Sequence, residues 1–343
     1  MKGCPFGSHR VIEPEGSLPQ AAKRIDNTPR IRDNEILIDV QTLNVDSASF
    51  TQIKSVCGDS EEAVAAMITD IVRSRGKLQN PVTGSGGMLI GRVAEIGSLL
   101  KGRDLEAGDR IATLVSLSLT PLLIEKIGKI HMDKDQVDIR GKAVLFESGI
   151  YARLPEDMPD RLALAILDVA GAPAQVDKLV KPGMNVAVIG AGGKSGLLCC
   201  YQAKKKAGAG GRVIAVEYSP ENADRLSRMG LADHTIVADA TRPLEVYEKV
   251  KEITGEALCD IVINNVNVQA TEMSSILVTR EGGIVYFFSM ATSFARAALG
   301  AEGVGKDITM IVGNGYTRGH ASLALDILRE SVAIRELFER LYV

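Results

Sequence analysis

Four glycines, Gly190, Gly192, Gly193 and Gly196, lie in the stretch NVAVIGAGGKSGLLCCYQAKKKAGAGGRVIAVEYS, between an apolar, β-branched run and a run of helical spacing. A turn without side chains lets the backbone approach a pyrophosphate, and the helix that follows offers free N–H groups and its positive dipole end to the negative charge. Lys194 and Ser195 add further donors. Read through Gly190, Gly193 and Gly196 the spacing is G-x-x-G-x-x-G, a departure from strict G-x-G-x-x-G, so the motif draws its weight from context. The context is an acid: Glu217 closes the next apolar run 21 residues after Gly196, where a carboxylate accepts hydrogen bonds from the adenosine ribose. That favours NAD. Tyr218 adjoins the acid, and Arg225 is near enough to accommodate the extra phosphate of NADP, which stays open as the alternative.

Three later groups occupy the same kind of position, just beyond an apolar run. Asp239 and Ala240 are expected to border adenine, Asn264, Asn265 and Val266 to face the nicotinamide, and Ser289 with Met290 to follow on the next strand. Ligands of open α/β sheets bind beyond the carboxyl ends of the strands, so these sites belong together if the runs form one parallel sheet.

The elements that would position them are legible from periodicity. Residues 185–190, 212–217, 234–238, 260–265 and 283–288 read as buried strands separated by helical stretches, with 307–313 as a sixth. Earlier in the chain, EILIDVQTLNV (35–45) alternates as a half-buried strand, EEAVAAMITDIVRSR (61–75) has the spacing of an amphipathic helix, and PVTGSGGMLIGRVAEIG is a turn-rich segment leading into another strand. The expectation is an α/β protein: a β-rich domain over 1–160, a doubly wound parallel sheet over 161–316, and a C-terminal amphipathic helical segment, 317–343, broken once and returning to the first domain.

Composition narrows the function classes. The chain has 343 residues, 45% of them hydrophobic and 24% charged, as expected for two folded domains. Its net charge of −3 provides no field for attracting nucleic acid or an anionic membrane, and no apolar stretch is long enough to span a bilayer or serve as a signal peptide, so a cytoplasmic protein acting on a small molecule is expected. Cys4, Cys57, Cys199, Cys200 and Cys259 are scattered without paired spacing, which suggests neither disulfides nor a structural zinc cluster.

The β-rich half with PVTGSGGMLIGRVAEIG and GDRI, followed by the glycine-rich domain, resembles the medium-chain dehydrogenase/reductase superfamily, whose catalytic domain is GroES-like. Catalytic zinc in that superfamily takes three protein ligands. The resemblance places them at Asp46, at the triplet Gly86, Gly87 and Met88, and near Val169; only Asp46 could bind a metal, so no metal is expected. Within the superfamily, MKGCPFGSHRVIEPEGSLPQAA, LNVDSASFTQI and IVGNGYTRGHA are similar to the 3,5-diaminohexanoate dehydrogenase family of lysine fermentation. That resemblance implies a diamino acid substrate, oxidative loss of its 3-amino group and a homodimer paired through an edge strand at DITMIVG.

An amine gives up hydride only with its nitrogen lone pair free, so such a reaction needs a general base. By the resemblance Asp46 stands where a relative's metal ligand faces the nicotinamide, and it is the first choice, with Asn44, Ser47 and Ser49 in the same segment to orient substrate or water. The alternative for Asp46 is a turn-forming role in NVDS. Arg318, with Arg92 in reserve, is the cation for the substrate carboxylate. Tyr316 and His320 share its turn, as proton carriers or packing residues, and Glu147 is a site for the second ammonium. Competing expectations are a zinc-free quinone or enoyl reductase of the same superfamily, and a dinucleotide-binding protein without catalysis.

Overall fold

The computed structural model describes residues 1–58, 60–313 and 315–343, and the chain divides into two units, Met1–Asp157 and Met158–Val343.

The first unit contains β1 (Val11–Glu13), β2 (Arg24–Ile25), β3 (Glu35–Val45), α1 (Ser47–Cys57), α2 (Glu61–Arg75), β4 (Gly87–Ile96), β5 (Arg110–Thr113), β6 (Leu122–His131), β7 (Gln136–Phe146) and β8 (Tyr151–Arg153). Six strands form an antiparallel sheet in the order β6-β7-β3-β4-β5-β8. Ile36, Ile38, Val40, Leu43 and Val45 of β3 pack into one core with Phe50 and Ile53 of α1 and Val64, Ile68 and Val72 of α2. Every apolar stripe therefore has a partner, which is what fixes the register of a one-sided strand.

Two buried cations hold the segment before β3 against this core. Arg10 donates from Nε and Nη2 to the two oxygens of Glu35 at 2.7 Å each, and its remaining N–H groups reach the carbonyls of Asp26, Thr28 and Arg30. Burial alone would raise the Glu35 carboxyl, but the Arg10 guanidinium, the Arg32 amide and His9 hold it below its ordinary value. Lys77, just beyond α2, is fully buried and donates from Nζ to the carbonyl of Pro19 at 2.6 Å; burial, helped by Arg75, lowers its pKa to about 8.

The second unit begins with α3 (Asp160–Leu167) and α4 (Gly171–Leu179), then alternates β9 (Asn185–Ile189), α5 (Lys194–Ala207), β10 (Arg212–Glu217), α6 (Pro220–Arg228), β11 (His234–Val237), α7 (Pro243–Thr254), β12 (Cys259–Asn264), α8 (Glu272–Val278), β13 (Thr279–Phe287), α9 (Phe294–Gly303) and β14 (Thr309–Val312). All six strands are parallel, in the order β11-β10-β9-β12-β13-β14, so the winding reverses between β9 and β12. This is the doubly wound Rossmann arrangement, with its binding crevice at the reversal. The six strands match the six apolar runs. The fold is α/β: a Rossmann-type parallel sheet in one unit and a β-rich antiparallel sheet in the other.

The C-terminal helices α10 (His320–Glu330) and α11 (Val332–Tyr342) break at Ser331, which caps α11 through its hydroxyl. The segment expected to return to the first domain belongs here to the second unit, where α10 packs on α3 and α4 and α11 packs on α3. The physical reason is the apolar face of α3, whose Leu162–Leu167 are all buried.

Candidate functional site

The glycine turn leaves β9 at Gly190 and enters α5 at Lys194, with Gly193 at the N-cap and no side chain capping the helix. Gly196 packs so closely that a Cβ there would lie 2.2 Å from the Gly190 carbonyl oxygen, and a Cβ on Gly192 would meet Asn222 Cβ at 2.6 Å and Glu217 Oε2 at 2.8 Å. The crowding at Gly192 arises because Glu217, at the end of β10, folds its carboxylate onto the turn. Glu217 is 8% exposed; Oε2 accepts from the Gly192 N–H at 2.7 Å and Oε1 from the Ser219 N–H at 3.1 Å. Arg225 approaches from α6, donating to the Gly192 carbonyl at 3.2 Å and to Asn222 Oδ1 at 2.7 Å. It also lines a groove of about 530 Å³ between α6 and α11, with Arg228, Arg340, Glu221 and Glu336.

Lys194 is half-buried, paired with Asp168 at 3.1 Å and placed 5.2 Å from the centre of the Tyr342 ring. Ser195 follows it in the first turn of α5, and Tyr218 is largely exposed beside Glu217. Asp239 beyond β11 closes a turn on the Thr241 N–H and hydroxyl, which hold its carboxyl below the ordinary value, and the Ala240 carbonyl accepts from the Ser274 hydroxyl.

Past the reversal, the reading of Asn264 needs correction. Its side chain is fully buried, giving Nδ2 to the Thr271 and Ser275 hydroxyls at 3.0 Å and accepting the Val266 N–H on Oδ1 at 3.0 Å. It shapes the loop after β12 from beneath rather than facing a ligand. Asn265 is the more available of the pair: its N–H is bound to the Ile189 carbonyl, while Nδ2 is buried with no hydrogen-bond partner among the described residues. Burial pushes the neighbouring Cys199 thiol up to about 12, which leaves it unreactive. Phe288 and Ser289, beyond β13, both donate their N–H to the Asn264 carbonyl, and Met290 is 85% exposed. A turn that a Cβ would fill, an acid on it and an orphaned amide donor at the reversal together fit an extended anionic dinucleotide.

In the first unit, Asp46 is exposed and caps α1, accepting the Ala48 N–H on Oδ1 at 2.9 Å, with no further side-chain hydrogen bond among the described residues. Asn44 accepts from Gln136 at 3.1 Å and the Ser47 hydroxyl donates to Asp135 at 2.7 Å, so the three lie together at one end of β3. Two residues the sequence reading missed brace this end. Asn80, 1% exposed, gives Nδ2 to Gln52 Oε1 at 2.6 Å and to the Ser49 carbonyl while accepting the Val82 and Thr83 N–H groups, and Ser85 meets the Ser49 hydroxyl at 2.7 Å. The only sequence signal was a Pro-Gly-rich loop containing an Asn. Glu147 separates from the group: β3 pairs Asn44 with Gln136 but Glu35 with Phe146, so Glu147 lies past the opposite end of an 11-residue strand, bound to Asn34 at 2.8 Å. At roughly 3.3 Å per residue that is on the order of 30 Å from Asp46. Arg92 is committed to the Gly108 carbonyl.

The residues do not fit the superfamily's zinc. Gly87 has φ +106°, and a side chain there would begin 2.0 Å from the Asn44 carbonyl oxygen. Among the described residues no three His, Cys, Asp or Glu side chains gather to hold a metal ion.

The last sequence-derived group lies before α10. Arg318 is exposed, with no ion pair among the described residues, whereas His320 is 5% exposed, its ring edge-on to Tyr316 at 5.1 Å. Burial lowers the His320 pKa below the ordinary histidine value, which makes it a packing residue more than a proton carrier.

Comparison with known proteins agrees with this architecture. The family described as L-erythro-3,5-diaminohexanoate dehydrogenase N-terminal domain matches residues 9–155, and the family described as zinc-binding dehydrogenase matches 195–299, within the second unit. The chain is 60% identical to L-erythro-3,5-diaminohexanoate dehydrogenase of Acetoanaerobium sticklandii, over 100% of both chains. It is 59% identical to the protein of that name from Fusobacterium nucleatum, over 100% of this chain and 99% of the relative. Among solved structures, CurK enoyl reductase aligns with TM-score 0.56 at 15% identity, over 90% of this chain and 82% of that one. Escherichia coli quinone oxidoreductase complexed with NADPH aligns with TM-score 0.52 at 19% identity, over 92% and 85%. At those identities the likeness speaks for the fold.

Proposed function

This chain belongs to the L-erythro-3,5-diaminohexanoate dehydrogenase family, and from that premise we propose that it is an NAD-dependent amine dehydrogenase converting L-erythro-3,5-diaminohexanoate to 5-amino-3-oxohexanoate, without zinc. The coarser statement, that the chain is an oxidoreductase of this dehydrogenase family, follows from 60% identity over its whole length. The single observation that carries the reading is that identity, joined to a glycine turn held by an acid at the end of β10.

The balance is one ammonium substrate, one NAD and one water giving the ketone, NADH, ammonium and a proton. NAD, when bound, would supply the acceptor for the hydride that leaves C3 of the substrate. Gly192, Gly193 and the open N-terminus of α5 would hold the pyrophosphate, and Glu217 the adenosine ribose; its negative charge supports NAD over NADP because a 2′-phosphate would face it. Asn265 Nδ2, an unpaired buried donor, would serve the nicotinamide half. We assign Asp46 as the base that takes a proton from the 3-ammonium and passes it to solvent, then takes one from the attacking water and returns it to the departing amine, because its carboxylate is exposed and keeps one oxygen clear of α1. Asn44 and Ser47 would orient water, and Arg318 would pair with the substrate carboxylate. A homodimer joined along β14, which pairs on one side only within its sheet, completes the proposal.

The test is turnover by chelator-treated protein of the diamino acid with NAD or NADP, set beside a quinone and enoyl panel supplied with NADH or NADPH. Ammonia and NADH formed in equal amounts, faster with NAD, support the reading. Reduction of quinones or enoyl substrates without amine oxidation overturns it.

A further inference from the structure

Glu272 opens α8 and is 1% exposed. Its Oε1 accepts the Ser293 N–H at 2.6 Å, while Oε2 is buried with no hydrogen bond among the described residues and has only the half-exposed Arg296 guanidinium for company, at 3.6 Å. A buried carboxylate with one oxygen unserved is costly, and its charge makes the hydrogen bond that the other oxygen accepts stronger than a neutral amide could.

What the acid does hold is the loop between β13 and α9. That loop starts where Phe288 donates to the Asn264 carbonyl at 3.0 Å and ends at Ser293, whose hydroxyl caps α9 on the Arg296 N–H. Between these anchors lie Ser289 and Met290, at the carboxyl end of β13. With Glu217 marking the adenosine side on β10, a dinucleotide crossing the reversal between β9 and β12 brings its other half over the ends of β12 and β13. The two anchors differ in kind, since one is a main-chain bond in the sheet's own continuation and the other is a charge brought in from α8. We propose that Glu272 is a positioning residue for the nicotinamide half of the cofactor, acting through the loop 288–293. It touches no ligand, and the inference rests on the dinucleotide reading above.

The experiment compares binding of NADH, followed by fluorescence, with binding of ADP-ribose, which lacks the nicotinamide, followed by calorimetry. Glu272→Gln keeps the size and one acceptor but loses the charge. It is expected to weaken NADH binding about tenfold, as for a lost charged hydrogen bond, with ADP-ribose affinity unchanged. Arg296→Met, which leaves the carboxylate in place, is expected to show the same selectivity with a smaller loss, and keeps the test open should the first variant fold poorly. Equal weakening of both ligands, or none of either, overturns the proposal alone. Wild-type protein that binds neither ligand overturns the dinucleotide reading and this inference with it.

Discussion

At the residue scale, two carboxylates, one in each unit, sit in different environments. Glu217 is buried and spends its oxygens on the Gly192 and Ser219 N–H groups, so it shapes the turn, and the proposed function gives it the ribose as well. Glu217→Ala is therefore expected to weaken NAD binding by at least about tenfold and to narrow the gap between NAD and NADP, read from the binding constants of both. Asp46 is exposed and spends one oxygen on a helix cap. Asp46→Asn preserves that acceptor, so it should leave stability and NADH affinity unchanged while cutting kcat by about a hundredfold or more, the usual worth of a positioned base. A wild-type rate in this variant would move the base elsewhere. The sequence revealed these residue types but not their environments: the exposure of Asp46 and the inward turn of Asn264 depend on packing against α1 and α8 that periodicity does not encode.

Lys77 gives the pH dependence at the same scale. Its folded pKa, about 8, lies below the ordinary lysine value of 10.5, so between those values the unfolded chain binds the extra proton and stability rises with pH. The cost of the buried charge is fully present below the folded pKa and relieved above it. Compared with Lys77→Met in urea denaturation, the wild type should gain relative stability from about pH 7 to about pH 9.5. A constant difference would mean that the ammonium is not desolvated.

At the element scale, the glycine turn depends on β9, α5 and β10 meeting within van der Waals contact. Gly196→Ala would drive a methyl into the Gly190 carbonyl, and Gly192→Ala would strike Asn222 and the Glu217 carboxylate. The first should cost about 1–3 kcal/mol of stability as overpacking does, read by denaturation, and both should abolish measurable NAD binding. The parallel strands of the second unit and part of the first were legible from their apolar periodicity: 35–45 and 61–75 coincide with β3 and α2, and six runs became six parallel strands, whereas β6 and β7 were not read. Helix α1 was not legible, because DSASFTQIKSVC offers a weak apolar stripe and reads as a polar turn until Asn80 and Phe50 are seen to pin it. Glu147 was misplaced for a related reason, since strand pairing decides which end of the sheet a loop occupies.

At the scale of the whole molecule, the sheet order β11-β10-β9-β12-β13-β14 leaves β14 at an edge with Val312 exposed, and an unpaired edge invites a second copy. If the proposed homodimer forms along this edge, Val312→Lys should yield a monomer in light scattering where the wild type gives a dimer, with its secondary structure retained. No helix of the described residues is long and apolar enough to cross a membrane. The assignment of an amine substrate came from resemblance and from full-length identity, because strand patterns and a glycine turn are common to many reductases and carry no record of the carbon that is oxidised.

The most direct test of the amine dehydrogenase account is isotopic. L-erythro-3,5-diaminohexanoate deuterated at C3 is incubated with the chelator-treated protein and NAD, and the reduced cofactor is analysed by mass spectrometry alongside the ammonia released. The account predicts one deuterium in each NADH and one ammonia for each NADH formed. Unlabelled NADH, or reduced cofactor without ammonia, would contradict it.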